Sequence, residues 1–319
     1  MMQTQSTVRV AVVQASSVLF DLKASTEKAV SIIKKAGDKG ANIVVFPEAF
    51  IPAYPRGMSF GTSIGSRSPE GRKDWLKYLE NSVPVPSETT KVLGAAARKA
   101  GVYLIISVIE RDNDWSKGTV YCSVLFFGPD GSLLGKHQKL KPTAAERIVW
   151  GEGDGSTLPI FTTPFGKIGA LICWENYMPL ARAAMYAKGV QIFITPTADS
   201  RDLWQSTIRH IAAEGRCFVL SSNQYVTKDM YPTDLACYHE LESSPEVMCR
   251  GGSAIVGPLG EYIVEPVYDK EDILFATLDL REISTSQFDL DVVGHYSRPD
   301  VFQLIVNEEK KENVKWVTY

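Results

Sequence analysis

The sequence predicts an α/β domain built on mixed β-sheet, and three observations predict it. Apolar runs of strand length recur at residues 8–14, 42–46, 102–109, 190–195 and 217–222, as expected of strands covered on both faces. Between them lie segments with apolar residues at helical spacing, such as Ala29, Ile32, Ile33 and Ala36, so strand and helix alternate. Hairpin signals at Pro129-Asp130-Gly131 and Pro164-Phe165-Gly166 add antiparallel pairs, which excludes a simple doubly wound nucleotide-binding fold.

Each element follows in order. The first strand covers 8–14, and the helix after it ends at Gly37 and Gly40, residues suited to a positive φ at a helix terminus. Residues 42–46 return as a strand that Pro47 stops one residue before Glu48. A carboxylate therefore stands at the carboxyl end of a buried strand, where open α/β sheets bind ligands. Residues 51–85, rich in Pro, Gly and Ser, read as a long excursion over the site mouth with a short helix at 75–80. A helix over 87–101 and a strand over 102–109 come next, then a hairpin of 119–127 with 132–136. The second hairpin sends out a strand, 167–172, that delivers Cys173.

Residues 179–188 and 202–213 read as helices, and 190–195 and 217–222 as strands. Residues 225–250, carrying Cys237 and Cys249, read as an irregular, variable surface loop. Segments 251–264, turning at Gly257-Pro-Leu-Gly260, and 273–278 complete the strands. No repeat, linker or composition break marks a boundary, so the expectation is one domain over 1–319, with a core of about 8–282 and an extension from 283 to 319.

The composition narrows the function. A net charge of −3 over 319 residues argues against a nucleic-acid binder. The five cysteines are odd in number and spread without a CxxC pair, which predicts free thiols in a reducing compartment. With no signal-peptide pattern and no apolar run long enough to span a bilayer, the reading is a cytoplasmic protein that engages no membrane. Gly151-Glu-Gly-Asp-Gly155 is interrupted by acidic residues and lacks the Lys-Ser/Thr of a P-loop. The four histidines lie far apart in sequence without metal-ligand spacing, so neither a metal nor a cofactor is expected.

Three features of the chain combine into one chemistry. Cys173 ends an apolar run and is followed by Trp174 and Glu175; Glu48 ends another strand; and Lys139 and Glu146 lie in the segment His137-Gln-Lys139-Leu-Lys-Pro-Thr143-Ala-Ala-Glu146. Together they describe a thiol nucleophile, a base to take its proton and a cation to meet developing negative charge. A Cys–His pair using His137 or His295 is the competing arrangement.

The chain resembles the nitrilase family over roughly residues 8–305. The resemblance rests on Phe46-Pro-Glu48-Ala-Phe, Tyr54-Pro-Arg-Gly57, Gly135-Lys-His-Gln-Lys139-Leu-Lys-Pro-Thr143, Glu146-Arg, Trp150-Gly-Glu-Gly-Asp-Gly-Ser-Thr157, Cys173-Trp-Glu-Asn-Tyr-Met-Pro179 and Val293-Gly-His-Tyr-Ser-Arg-Pro-Asp300. The Cys-Trp-Glu context and the last block look closest to plant and fungal nitrilases of the carbon-nitrogen hydrolase superfamily. The resemblance implies a four-layer αββα sandwich with mixed sheets and no cofactor. It implies hydrolysis of an organic nitrile with water to the acid and ammonia, with a minor amide by-product. Cys173 would be the nucleophile, Glu48 the general base, Lys139 the electrostatic stabiliser and Glu146 the second carboxylate.

Tyr54, Trp150 and Trp174 are candidates for the pocket wall, and the Trp174 N–H for the oxyanion donor. Family members form homo-oligomers, so a dimer or larger assembly, including a spiral, is expected, with 283–319 in the contacts. Ala53, Lys141 and Tyr177 depart from the commoner family pattern near the site mouth and bear on substrate preference. An amidase or N-carbamoyl hydrolase of the same superfamily, or a non-enzymatic assembly protein, are the alternative readings.

Overall fold

The computed structural model describes residues 5–317. Two mixed sheets face each other, and each carries helices on its outer side. In the first sheet the order is Asp272–Asp279, Thr7–Gln14, Ile43–Val45, Tyr103–Arg111, Val120–Phe127, Leu133–Gln138. In the second it is Tyr225–Thr227, Val247–Val256, Phe218–Asn223, Ile192–Thr197, Gly166–Ala170, Phe161–Thr163. Both have three parallel strands at the centre and antiparallel neighbours outside.

Strand alternation builds the layers, because successive side chains point to opposite faces. On the first strand Val10 and Val12 turn inward against Ile168, Ile194 and Leu220 of the second sheet, while Ala11 and Val13 turn outward. The outward set meets Ala29, Ile33 and Ala36 of the helix Leu22–Asp38 and Leu93 and Ala97 of the helix Glu88–Ala100. Phe193 and Val219 of the second sheet are covered by Met185 of Pro179–Ala187 and by Trp204, Ile208 and Ile211 of Asp202–Gly215. This is the αββα sandwich.

The local signals act as expected at the helix ends. The Asp21 side chain accepts from the Ala24 N–H at 2.8 Å, and Ser87 with Thr90 forms a capping box. Gly101 ends that helix at φ +66°, a conformation that favours glycine.

Two expectations are corrected. The helix in the 51–85 excursion is longer, Pro69–Glu80, because Ser68 caps it and Pro69 takes the first helical position. The segment 225–250 is no variable surface loop: Val226, Tyr231, Leu235, Cys237, Leu241 and Cys249 are buried. Two carboxylates clasp it to the excursion. Asp74 accepts the amides of Ala236 and Cys237 at 2.8 and 2.7 Å, and Glu240 accepts from Ser59 N and Gly61 N at 2.6 and 2.9 Å. Past the helix Arg281–Ser286 the chain runs mostly without regular structure to residue 317, leaving Phe288, Phe302, Ile305 and Trp316 exposed.

Candidate active site

Four predicted residues meet where the sheets' strand ends converge. Pro47 ends the Ile43–Val45 strand region, and the chain then turns through Ala49 at φ +49°, leaving Glu48 fully buried. Gln224 of the second sheet's side donates its Nε2 to the Glu48 carbonyl at 2.9 Å and pins that turn. Lys139 follows the strand Leu133–Gln138, held on both sides by Lys139 N–Cys122 O and Gly153 N–Lys139 O, both 2.8 Å. Its Nζ donates to Glu48 Oε1 at 2.6 Å and to Glu146 Oε2 at 2.7 Å. Glu146 also accepts from the Thr143 N–H at 2.6 Å and the Tyr54 hydroxyl at 2.7 Å, three donors in all, which suits a carboxylate.

Electrostatics set the two partners apart. Burial above all raises the Glu48 carboxyl to about 7; Lys139 pulls it down and the Glu146 charge pushes it up. Burial works against the Lys139 ammonium, but Glu48, Cys173 and Glu146 around it keep its pKa well above the ordinary lysine value. Among the described residues Glu48 Oε2 has no hydrogen-bond partner. An orphaned buried oxygen is costly, and the neighbouring Cys173 thiol lowers the pKa of the same carboxyl.

Cys173 stands beside this carboxylate, 4 % exposed, at the start of the 3-10 turn Cys173–Tyr177. Its φ of +51° is a left-handed conformation that a non-glycine side chain rarely adopts. Such strain clusters at functional sites. Burial and the Glu48 charge hold the thiol well above its usual pKa, against the pull of Lys139, the Thr197 hydroxyl and the Ala198 N–H. The Thr197 Oγ1 lies 3.2 Å from the sulfur. Burial thus favours the neutral thiol.

A second buried carboxylate braces the turn. Glu175 accepts from the Ile172 N–H at 2.6 Å, the Leu140 N–H at 2.5 Å and His137 Nε2 at 2.9 Å. It ties the residue before Cys173 to the residue after Lys139. The other His137 nitrogen, Nδ1, faces the Thr157 carbonyl. Both ring nitrogens meet acceptors only, so both donate and the ring is an imidazolium. Burial opposes that charge, but the Glu175 carboxylate raises the His137 pKa. The rival Cys–His arrangement, which Glu48 and Lys139 make unnecessary, does not form: His137 is spent on Glu175, and His295 is exposed in the C-terminal stretch.

The aromatic candidates divide. Trp150 is buried, with its ring 5.5 Å from Lys139 Nζ and edge-on to Tyr54, and its Nε1 donates to the Tyr78 hydroxyl at 3.1 Å. Tyr54 contributes its hydroxyl to Glu146. Trp174 differs: its indole is 39 % exposed, donates to Asp199 Oδ2 at 2.8 Å and is covered by the Arg201 guanidinium. Its side chain is turned to that surface pair, because Asp199 is the acceptor its indole N–H can reach. A cavity of about 340 Å³ opens on the other side of Trp150, lined also by Phe60, Trp75, Arg72 and Ile148.

Sequence reasoning missed the Thr197 hydroxyl, the Ala198 amide and the bracing role of Glu175. The signal for Thr197 was present, since a polar residue ends an apolar parallel strand beside the one that delivers Cys173. Among the described residues no three His, Cys, Asp or Glu side chains come together in a metal-binding group. Nor is any helix among them long and apolar enough to cross a membrane.

Comparison with known proteins shows the family. Residues 9–287 match the family model described as carbon-nitrogen hydrolase. An aliphatic nitrilase from Sinorhizobium fredii (strain HH103) is 53 % identical over 307 residues, 96 % of this chain and 97 % of the relative. A bifunctional nitrilase/nitrile hydratase, NIT4A, from Lupinus angustifolius is 51 % identical, covering 98 % of this chain and 89 % of the relative. Among solved structures, the C. elegans NitFhit protein superposes with a TM-score of 0.74 at 22 % identity, over 97 % of this chain and 69 % of that one, a likeness of fold.

Proposed function

The chain belongs to the carbon-nitrogen hydrolase family and is a hydrolase, and from that premise we propose that it is a nitrilase, converting an organic nitrile and two waters to a carboxylic acid and ammonia. The observation that carries the reading is the orphaned Glu48 oxygen beside a neutral, buried Cys173 thiol, with Lys139 on the other oxygen of the same carboxylate.

In the first step the thiol passes its proton to Glu48 as sulfur attacks the nitrile carbon, and the nitrogen is protonated at the expense of the Lys139–Glu48 pair. The product is a covalent thioimidate. Water activated by Glu48 adds to give a tetrahedral species. Expulsion of ammonia leaves a thioester, and a second water releases the acid and restores the thiol. In a minor branch the tetrahedral species expels sulfur and yields the amide. The Trp174 N–H, in the first turn of a 3-10 segment where amides lack helical acceptors, donates to the developing anion. Glu146, fixed by Tyr54 and Thr143, keeps Lys139 aimed at the site.

The reading extends to one domain over 1–319 that assembles as a homo-oligomer, the exposed apolar residues beyond 283 supplying contacts. It also includes a cytoplasmic setting, in keeping with five free thiols. An ammonia-release screen over aliphatic, aryl and arylacetonitriles, with matched amides in parallel and Cys173→Ala as blank, tests the activity. Release from nitriles is expected; release from amides alone would assign the chain to amide hydrolysis instead.

A further inference from the structure

The Thr197 hydroxyl meets the reacting atom of Cys173. Thr197 closes the parallel strand Ile192–Thr197, fully buried, beside the strand Gly166–Ala170 whose chain runs on to Cys173. Its Oγ1 lies 3.2 Å from the sulfur and accepts the Asp199 N–H at 2.9 Å. A hydroxyl has a single hydrogen to give. With the amide seated on the oxygen, the acceptor left for that hydrogen among the described residues is the sulfur.

The fold fixes that direction. Asn223, paired with Thr197 on the neighbouring strand, donates its Nδ2 to the Asp199 carbonyl at 3.0 Å and to the Gly251 carbonyl at 2.8 Å. The Asp199 carboxylate in turn holds the Trp174 indole and the Arg201 guanidinium, each at 2.8 Å. Backbone and side chain of Asp199 are both tied, so its amide stays on the Thr197 oxygen. Threonine is β-branched and stiff at χ1, which keeps the hydroxyl from swinging away. The Ala198 N–H is a second donor to the sulfur.

We propose that Thr197 is a further catalytic residue, which stabilises the sulfur as a leaving group each time a carbon–sulfur bond breaks. A hydrogen bond to an anion is about twice as strong as one between neutral groups, and a better stabilised thiolate leaves faster. The proposal rests on the nitrilase reading above, in which that bond breaks at two points. In thioester hydrolysis water adds to the carbonyl carbon and gives a proton to Glu48. The carbon–sulfur electron pair then goes to sulfur, the acid forms, and Glu48 returns the proton to the thiolate. In the amide branch the same bond breaks one stage earlier: the pair goes to sulfur, the added hydroxyl becomes the amide carbonyl, and its proton reaches the thiolate through Glu48. Expulsion of ammonia leaves the sulfur bonded and draws nothing from Thr197. The hydroxyl therefore sets the rate of acid release and the amide share together.

The test follows decay of the acyl adduct on the Cys173 peptide by mass spectrometry after excess nitrile is removed, together with the amide-to-acid ratio of the products. Wild type is compared with Thr197→Val and Thr197→Ser. Thr197→Val keeps the shape and loses the hydrogen, so adduct decay should slow by about tenfold, the scale of a hydrogen bond to a charged group, and the amide share should fall. Thr197→Ser keeps the hydroxyl and should stay near wild type in both. Should the valine variant not fold, Thr197→Ala takes its place. An adduct that decays as fast without the hydroxyl as with it, or an amide share that stays put while every step slows, would overturn the proposal; Thr197 would then only hold the Asp199 turn. If wild type releases ammonia from no nitrile, the nitrilase reading has failed. The donor claim is then decided by alkylation of Cys173 with iodoacetamide at about pH 8, since the thiolate is the reacting form. Thr197→Val should be labelled several-fold more slowly than wild type and Thr197→Ser at the wild-type rate, and equal labelling of all three would overturn it.

Discussion

Glu48 and Glu175 are two glutamates sealed from solvent, at 0 and 1 % exposure, and the fold treats them in opposite ways. Glu175 has both oxygens saturated by two backbone amides and an imidazolium. Glu48 has one oxygen on Lys139 and the Cys122 thiol, and the other is without a hydrogen-bond partner among the described residues. A saturated buried carboxylate holds parts of the chain together, whereas one left half open is poised to exchange a proton. The difference separates bracing from chemistry even though the two residues share burial and a cationic partner.

The largest effect should come from closing the open oxygen. Glu48→Gln keeps the shape but cannot take the thiol proton, so turnover should fall by roughly a thousandfold or more, the scale of general base catalysis. The fold should remain, since Lys139 keeps Glu146. A loss of activity under tenfold in steady-state assays would break the comparison. Glu175→Gln should do the reverse. It strips the counter-charge from a buried imidazolium and presents an amide N–H to backbone donors, at about 3–5 kcal/mol of stability. Chemical denaturation reads this directly. A midpoint unchanged from wild type would mean that the brace bears no strain.

The pH behaviour sharpens the contrast. Glu48, raised from 4.5 to about 7 chiefly by burial, keeps a proton in the folded state that the unfolded chain has already lost. Stability contributed at this group therefore falls as pH rises from 4.5 to 7 and is restored at lower pH. Activity runs the other way, because the base must be ionised. kcat/KM should climb with pH along a limb near 7, belonging to the Glu48–Lys139–Glu146 cluster as a unit. A limb near 4.5, the ordinary value, would contradict the assigned environment. The smallest effect is expected at Tyr54→Phe. Losing its bond to Glu146 removes about 1 kcal/mol of support for Lys139, a slowing of under tenfold.

Much of this was legible in the sequence, for reasons that mark where such reading stops. Glu48 was visible because Pro47 must stop a strand, and Cys173 because an apolar run ended on it; both are local events along the chain. Lys139 and Glu146 drew their roles from the family resemblance, and the structure brings both to Glu48. The role of Glu175 was not legible, since its partners Leu140 and His137 lie 35 and 38 residues away on another sheet. The same holds for 225–250, whose irregular pattern hides that Asp74 and Glu240 fasten it to a segment some 160 to 180 residues distant. The bond of Trp174 to Asp199 was not legible either, since that acceptor belongs to a different strand end. Alternating periodicity reports which face is buried, and it carries no information about which polar atoms meet across the fold.

The claim at the centre is that Glu48 licenses Cys173 as the nucleophile. Mass spectrometry on acid-quenched mixtures of enzyme and a slowly turned-over nitrile, intact and after digestion to peptides, tests it most directly. Wild type should gain the mass of the nitrile or its acyl group on the peptide bearing Cys173, and Glu48→Gln, though folded, should gain nothing on the same timescale. An adduct forming equally fast in Glu48→Gln, or ammonia release by wild type without any adduct on Cys173, would contradict the account.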